Sequence, residues 1–286
     1  MVDIIPEAKT NIIMDSQILS SIMSCGQMTD YTFNQDLQAS TGKSVSLEMG
    51  SIVHTYLETK FKRQIDGIKK AEAIAYGMTA AIDYSKSDEV KNSTGEDIAL
   101  ALDTCMKYEE FYKNDMWVPL EVECVKGKEI YVDDKIRIIW KAKFDLIADT
   151  GQLVLPVDHK TMKQNRDSIT LNNQFTGQCL LMDSRRMIIN KIGFQKSLPL
   201  KDRFKRVVMN YTADRLDEWA KEIVPYWAYK LVEYSESGYW PKNYTHCENK
   251  FGYCRFREVC ESNRNMRDEV IRLNFVKGKK WDIQND

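Results

Sequence analysis

The sequence predicts an α/β fold in which a mixed β-sheet is flanked by helices. Segments with helical hydrophobic spacing and segments with strand-like patterns follow in the order helix, strands, helix, strands, helix, which is typical of this class. The 286 residues include only 13 glycines and 6 prolines, a low share that favours long helices. With 43% hydrophobic and 29% charged residues, the composition is that of a soluble globular protein.

The N-terminal region, residues 1–115, is predicted to be mainly helical. Apolar residues recur at helical spacing in 47–63, and the pattern continues in 69–85 and 96–114. The first of these helices has the most regular apolar face, which consists of Ile52, Val53, Tyr56, Leu57 and Phe61.

Residues 116–236 are predicted to form the α/β core. Strands are expected at 118–125, 135–148 and 153–158, and the turn signal Thr150-Gly151 predicts that the last two form a β-hairpin. The remaining predicted elements are a helix from about Ser168 to Asp183, strands at 187–194 and 204–211, and a helix from Ala213 to about Glu233 with Thr212 as its N-cap. Residues 237–286 are predicted to be a cysteine-rich region and tail.

Charge and hydropathy limit the partners and the location of the protein. The formal net charge is −1, so a DNA partner would have to be held by a local basic groove or by metal ions. The first ten residues contain no basic segment followed by an apolar core, and no apolar run approaches the roughly 20 residues of a membrane span. We therefore expect a cytoplasmic protein with no membrane partner.

Two aspartates and a lysine are the candidate catalytic group. Asp145 is expected at the end of one predicted strand, and Asp158 and Lys160 close the next. Alternation along a strand places Asp158 and Lys160 on one face, and the hairpin would bring Asp145 to the same end of the sheet. Two carboxylates beside an ammonium suit metal-dependent phosphodiester cleavage. The alternative is that all three are ordinary surface charges.

This pattern resembles the PD-(D/E)XK nuclease superfamily, in particular its RecB-type branch. Glu121 is followed after 23 residues by Asp145, and after another 12 by Asp158, with His159 and Lys160 next in the chain. The resemblance implies a restriction-endonuclease-like fold. It also implies that Asp145 and Asp158 bind Mg²⁺ or Mn²⁺, that the main-chain carbonyl of His159 is a further ligand, and that Lys160 is catalytic.

The same branch has a Gly-x-x-x-His helix upstream, and Gly50 and His54 have that spacing here. The resemblance implies that His54 is a metal ligand, although a histidine on a helix can also be a packing residue. It further implies that Gln174 lies on a helix and orients DNA or the active-site lysine. The sequence departs from the family pattern at Gln178, where a tyrosine is usual, and at residues 140–143, which lack the usual glycine.

Seven cysteines without a secretory signal indicate metal binding or burial rather than a disulfide framework. Cys247, Cys254 and Cys260 have the spacing C-x6-C-x5-C, and Cys25 lies far upstream. This arrangement resembles the AddB-like and CRISPR-associated nucleases of the same branch, which implies that the four residues bind a [4Fe–4S] cluster. Zinc is the alternative metal, and His246 could replace Cys247. The other cysteines, Cys105, Cys124 and Cys179, are expected to be buried.

The resemblance therefore implies a metal-dependent deoxyribonuclease. The expected activity is exonucleolytic, on single strands or duplex ends, in the recombination, repair or phage DNA metabolism of a bacterium or phage. A helicase or recombination protein is a candidate partner. Two alternatives stay open: a non-catalytic DNA-binding or adaptor subunit, and a zinc-stabilised subunit of a helicase–nuclease or CRISPR-adaptation complex.

Overall fold

The structure is a computed structural model that describes residues 9–162, 172–249 and 252–282. Within these ranges the helices are α1 (Ser16–Ser24), α2 (Gly26–Thr29), α3 (Val45–Ile65), α4 (Lys70–Ser85), α5 (Gly95–Phe111), α6 (Asn173–Leu181), α7 (Leu200–Arg203), α8 (Ala213–Glu218), α9 (Val224–Ser237), α10 (Arg257–Glu261) and α11 (Arg267–Asn274). The strands are β1 (Thr10–Met14), β2 (Leu37–Ala39), β3 (Val118–Val132), β4 (Ile136–Asp149), β5 (Val154–Met162), β6 (Arg186–Gly193), β7 (Phe204–Asn210), β8 (Glu248–Asn249), β9 (Gly252–Tyr253) and β10 (Phe275–Lys277).

The main sheet is mixed and has the strand order β1-β4-β5-β6-β7, with β3 also paired to β4. The pairs β1–β4 and β5–β6 are parallel, whereas β4–β5 and β6–β7 are antiparallel. The predicted α/β fold with a mixed sheet is confirmed, and so is the hairpin around Thr150-Gly151. None of the helices in the described ranges is long and apolar enough to cross a bilayer.

The chain divides into two compact units, each assembled from separate segments. The first unit contains residues 1–41, 126–142 and 212–286, and the second contains 42–125 and 143–211. The boundary within β4 falls between Ala142 and Lys143. The division predicted from the sequence, at residues 115 and 236, follows the order of the chain and stays a prediction.

The second unit is built around α3, which buries one face against the sheet. Its apolar residues recur every three to four positions, so that they form one stripe along the helix. Lys62 and Arg63 lie in its last turn, where positive charge interacts favourably with the helix dipole. The buried core of this unit includes Ile52, Tyr56 and Phe61 of α3, Tyr108 of α5, Leu146 of β4, Val157 of β5 and Ile188 of β6.

The first unit joins the two ends of the described chain. The strands β2 and β10 pair antiparallel, with Leu37 opposite Lys277. A small apolar cluster surrounds this pairing and consists of Tyr31, Leu37, Phe256, Val259 and Phe275. Contact between the N-terminal and C-terminal segments therefore does not depend on the cysteines alone.

Several elements differ from their predicted bounds. The strand β3 continues to Val132 rather than ending at Val125, and the helix predicted from Ala213 contains a π-helical segment at Trp219–Ile223. Pro225 follows that segment closely and has no main-chain N–H to donate, which disfavours regular α-helical hydrogen bonding there. The predicted helix start at Ser168 lies outside the described residues.

Glu48, in the first turn of α3, is a buried carboxylate with several donors. It accepts hydrogen bonds from the main-chain N–H groups of Lys91, Asn92 and Ser93 and from the Ser93 hydroxyl. Burial raises the pKa of Glu48, but these hydrogen bonds lower it by more, to about 2. The charged side chain thus fixes the segment between α4 and α5 against α3.

We predict that Glu48→Gln lowers the free energy of unfolding at neutral pH by about 1–3 kcal/mol, because buried donors lose a charged acceptor. The pKa of about 2 in the folded state lies below the ordinary value of 4.5. The contribution is therefore complete above pH 4.5 and is lost as the pH falls toward 2. Chemical denaturation at several pH values should show a flatter acid dependence for the variant.

The exposed Glu72 on α4 supplies a matched control. Glu72→Gln should change the unfolding free energy by less than about 0.5 kcal/mol. A Glu48→Gln protein with wild-type stability and wild-type acid dependence would show that the buried carboxylate does not stabilise the fold.

Candidate functional site

Asp158 and Lys160 lie on one face of β5, as the sequence predicts. Asp158 is 1% exposed, and its Oδ2 atom is 3.0 Å from the Lys160 Nζ atom. Burial lowers the pKa of Lys160, but the charges of Asp158 and Asp145 raise it by more. The lysine is therefore an ammonium ion, and the alternative of three solvated surface charges does not describe this arrangement.

Asp145 lies inside β4 rather than at its end, four residues before Asp149. In the antiparallel hairpin, Leu146 of β4 pairs with Val157 of β5. Asp145 precedes Leu146 and Asp158 follows Val157, so the two aspartates occupy the next positions on the neighbouring strands. The Asp145 Oδ2 atom accepts a hydrogen bond of 2.7 Å from the main-chain N–H of His159. Burial raises the pKa of Asp145, and the negative charge of Asp158 raises it further.

Gln174 connects the aspartate and the lysine of β5 through its side-chain amide. Its Nε2 atom donates to Asp158 Oδ1 at 2.8 Å, and its Oε1 atom accepts from Lys160 Nζ at 3.1 Å. The helix α6 begins one residue earlier, because Asn172 accepts hydrogen bonds from the N–H groups of Gln174 and Phe175 as an N-cap. This cap places Gln174 in the first turn, facing β5.

His54 reaches the same group of residues from α3. Its Nδ1 atom is 3.9 Å from Asp145 Oδ2. Gly50, one turn earlier, has no side chain, and a Cβ atom there would lie 2.7 Å from Thr161 Oγ1. Glycine at this position therefore lets α3 approach β5 closely enough for His54 to face Asp145.

Glu123 belongs to this site, whereas the glutamate chosen from the sequence, Glu121, is exposed. The ligand atoms of His54, Glu123 and Asp145 all lie within 4.8 Å of one another. Glu123 has a φ of +49°, a left-handed conformation inside β3. Residues 122–126 are all partly buried, so burial does not alternate along this part of the strand. Strand alternation alone could not reveal this.

Two further residues hold the surrounding elements together. The His159 ring is 3% exposed, stacks on Phe61 and contacts the Asn190 amide at 2.9 Å. Burial and nearby positive charges lower the pKa of His159, so the ring is neutral. Gln178 donates from Nε2 to the Lys143 carbonyl at 2.9 Å and so attaches α6 to β4.

The four cysteines predicted to bind a metal line one cavity of the first unit. These cysteines are Cys25, Cys247, Cys254 and Cys260, and His246 lines the same cavity. Burial raises the pKa of Cys247 and of Cys260, and the neighbouring thiols raise both further, whereas the positive charge of Lys242 lowers the pKa of Cys260. Cys105 and Cys179 are buried as predicted, but Cys124 is only half-buried.

Comparison with known proteins identifies one family. The sequence profile of the PD-(D/E)XK nuclease superfamily matches residues 28–261. No curated protein matches the sequence. Among solved structures, a candidate exonuclease from Eubacterium rectale is similar, with 13% identity, coverage of 82% of this chain and 85% of that chain, and a TM-score of 0.48. The protein SSO0001 has 14% identity, coverage of 73% and 84%, and a TM-score of 0.32.

We predict that Glu123→Gln weakens Mn²⁺ binding by about tenfold or more, because a charged oxygen ligand is lost. Glu121→Gln, two residues earlier on the same strand, is the matched control and should bind Mn²⁺ as the wild type does. Titration followed by electron paramagnetic resonance measures both affinities. Equal affinities for the two variants would exclude Glu123 as a ligand.

Proposed function

Because the chain belongs to the PD-(D/E)XK nuclease superfamily, we propose that it hydrolyses DNA phosphodiester bonds with Mg²⁺ or Mn²⁺. The observation that carries this proposal is the contact of the buried Asp158 with Lys160 and Gln174, beside the half-buried Asp145. A protein that only binds DNA has no need to hold two repelling carboxylates close together next to an ammonium ion.

The residues present fit a divalent cation. Carboxylate and carbonyl oxygens suit Mg²⁺, and an imidazole adds affinity for Mn²⁺. A bound ion lowers the pKa of its water and polarises the phosphate. Of the proposed ligands, His54 and Asp145 lie in one group with Glu123, which the geometry adds to the set. Asp158 and the main-chain carbonyl of His159 are proposed as ligands from the family resemblance, and the Asp158 oxygens also contact Gln174 and Lys160.

Lys160 and Gln174 are proposed to stabilise charge on the phosphate and to orient the catalytic side chains. The Lys160 ammonium, held by Asp158 and Gln174, is positioned to offset the negative charge that develops on the scissile phosphate. Gln174 fixes this lysine by accepting its hydrogen bond and fixes Asp158 by donating to it. Because both the oxygen and the nitrogen of the Gln174 amide form hydrogen bonds, Lys160 and Asp158 keep one relative orientation before DNA binds.

We further propose that the protein is an exonuclease for single strands or duplex ends, in recombination, repair or phage DNA metabolism. The resemblance of the His54, Asp145 and Lys160 pattern to the RecB-type branch supports this, and it makes a helicase or recombination protein the candidate partner. The net charge of −1 indicates that DNA is held by local contacts rather than by overall attraction.

In the first unit we propose a [4Fe–4S] cluster bound by Cys25, Cys247, Cys254 and Cys260. All four side chains line one cavity of the first unit, although Cys25 is far from the others in sequence. Four thiolates can bind one zinc ion tetrahedrally, whereas a cluster places a different iron at each thiolate. The resemblance to the AddB-like and CRISPR-associated nucleases supports the cluster, and zinc is the alternative.

We predict that Lys160→Ala reduces metal-dependent DNA cleavage by about 100-fold or more, because charge stabilisation in the transition state is lost. Lys205→Ala, at an exposed lysine of β7, is the control and should retain most activity. The assay follows end-labelled single-stranded and duplex DNA with Mg²⁺ and with Mn²⁺, and thermal melting checks that each variant is folded.

Circular single-stranded DNA separates the two modes of cleavage, since an exonuclease leaves it intact. Equal turnover by Lys160→Ala and the wild type would contradict the assigned role of the lysine. A wild type that binds DNA but cleaves none of these substrates would point instead to a non-catalytic DNA-binding or adaptor subunit.

We predict that Cys25→Ser and Cys254→Ser remove the visible absorbance and the iron of protein purified without oxygen. Cys105→Ser and Cys179→Ser should keep both, because these buried thiols are not among the cysteines that line the cavity. Iron and acid-labile sulfide are measured for each protein. Stoichiometric zinc without iron in the wild type would establish the alternative metal.

A further inference from the structure

We infer that Asn243 is a positioning residue that holds Cys25 and Cys247 in place for metal binding, an inference that rests on the proposed cysteine site. The main-chain N–H of Asn243 donates to Cys25 Sγ at 3.4 Å. The Asn243 side chain donates from Nδ2 to the Ser24 carbonyl at 2.8 Å. One residue thus contacts both the sulfur of Cys25 and the peptide group preceding it, although the two lie 218 residues apart in sequence.

Cys25 depends on such contacts because it is not part of a helix. It lies between α1 and α2 with an extended main chain, at φ −167° and ψ 122°. Gly26 follows, and a Cβ atom there would come within 2.8 Å of Pro241 Cδ. The N–H of Gln27 donates to the Pro241 carbonyl at 3.1 Å. The segment around Cys25 therefore lies directly against residues 241–243.

Asn243 also orders the approach to the second cysteine. Its Oδ1 atom accepts hydrogen bonds from the N–H and hydroxyl groups of Thr245, at 3.2 and 2.6 Å. These bonds cap the single 3-10 turn at Tyr244–His246, which leads into Cys247. The Cys247 Sγ atom lies 3.9 Å from the Asn243 carbonyl oxygen. The Nδ2 atom of Asn243 thus bonds the segment that contains Cys25, and its Oδ1 atom bonds the segment that leads to Cys247.

The consequence for metal binding follows from general chemistry. An N–H donor stabilises negative charge on a thiolate, and hydrogen bonds to cysteine sulfur help to set the properties of an iron–sulfur site. Residues outside the ligand set that orient ligands typically change metal affinity by 10–100-fold. Loss of the Asn243 side chain should therefore weaken metal binding although no ligand is removed.

The test compares Asn243→Ser, Asn243→Ala and Thr245→Ala with the wild type. Serine is a good N-cap and keeps an acceptor for the 3-10 turn, but it is too short to bond the Ser24 carbonyl. Co²⁺ serves as the probe for the metal-free protein, because its thiolate absorbance reports affinity directly. The cluster is followed separately by its rate of loss in air and its reduction potential.

We expect Asn243→Ser to bind Co²⁺ about tenfold more weakly, to lose a reconstituted cluster faster and to show a shifted reduction potential. Asn243→Ala should be affected at least as strongly, and Thr245→Ala should resemble the wild type. Circular dichroism of the metal-free proteins confirms that each variant is folded; if Asn243→Ala is not, Asn243→Ser carries the comparison.

The outcomes separate this inference from the proposed cluster. If the wild type takes up iron or Co²⁺ at the cysteines and Asn243→Ser matches it in affinity and lifetime, the positioning role is wrong while the metal site stands. A wild type that takes up neither metal overturns both. Equal losses in Asn243→Ser and Thr245→Ala would assign the effect to the 3-10 turn and would also overturn the role of the bond to Ser24.

Discussion

Asp145 and Asp158 are two like charges on neighbouring strands, the first half-buried and the second buried, and the groups around them in the second unit offset their repulsion. Burial and mutual repulsion raise the pKa of Asp145. Lys160 supplies a positive charge 3.0 Å from Asp158, and the main-chain N–H of His159 donates to Asp145. Two closely spaced carboxylates that are partly or fully removed from water are costly without such partners. The same electrostatic cost makes this position suited to a divalent cation.

The cysteine cavity of the first unit collects four thiols from distant parts of the chain. Burial and neighbouring thiols raise the pKa of Cys247 and Cys260. The strands β2 and β10 pair through their main chains, so the two segments meet independently of the thiols. Sheet pairing and the apolar cluster around Phe256 therefore bring the segments together, and Asn243 contacts the segment of Cys25 directly.

Much of the fold and of the candidate site could be predicted because those features leave a local pattern. Helix α3 and the hairpin of β4 and β5 each bury one face, so their hydrophobic spacing is regular. The strands β2 and β10 have three residues each and pair across the whole chain, which no local pattern reports. Glu123 was missed because its orientation depends on one left-handed φ angle, and strand alternation assigns Glu121 and Glu123 to the same face.

The side chain of Glu123 has a cationic partner on the neighbouring strand β4. The Lys143 Nζ atom lies 3.0 Å from Glu123 Oε2. A third carboxylate near Asp145 adds to the local negative charge, so a lysine two residues before Asp145 partly neutralises it. The Lys143 carbonyl in turn accepts a hydrogen bond from Gln178 of α6. One residue of β4 therefore both offsets the charge of Glu123 and holds α6 against the strand of Asp145.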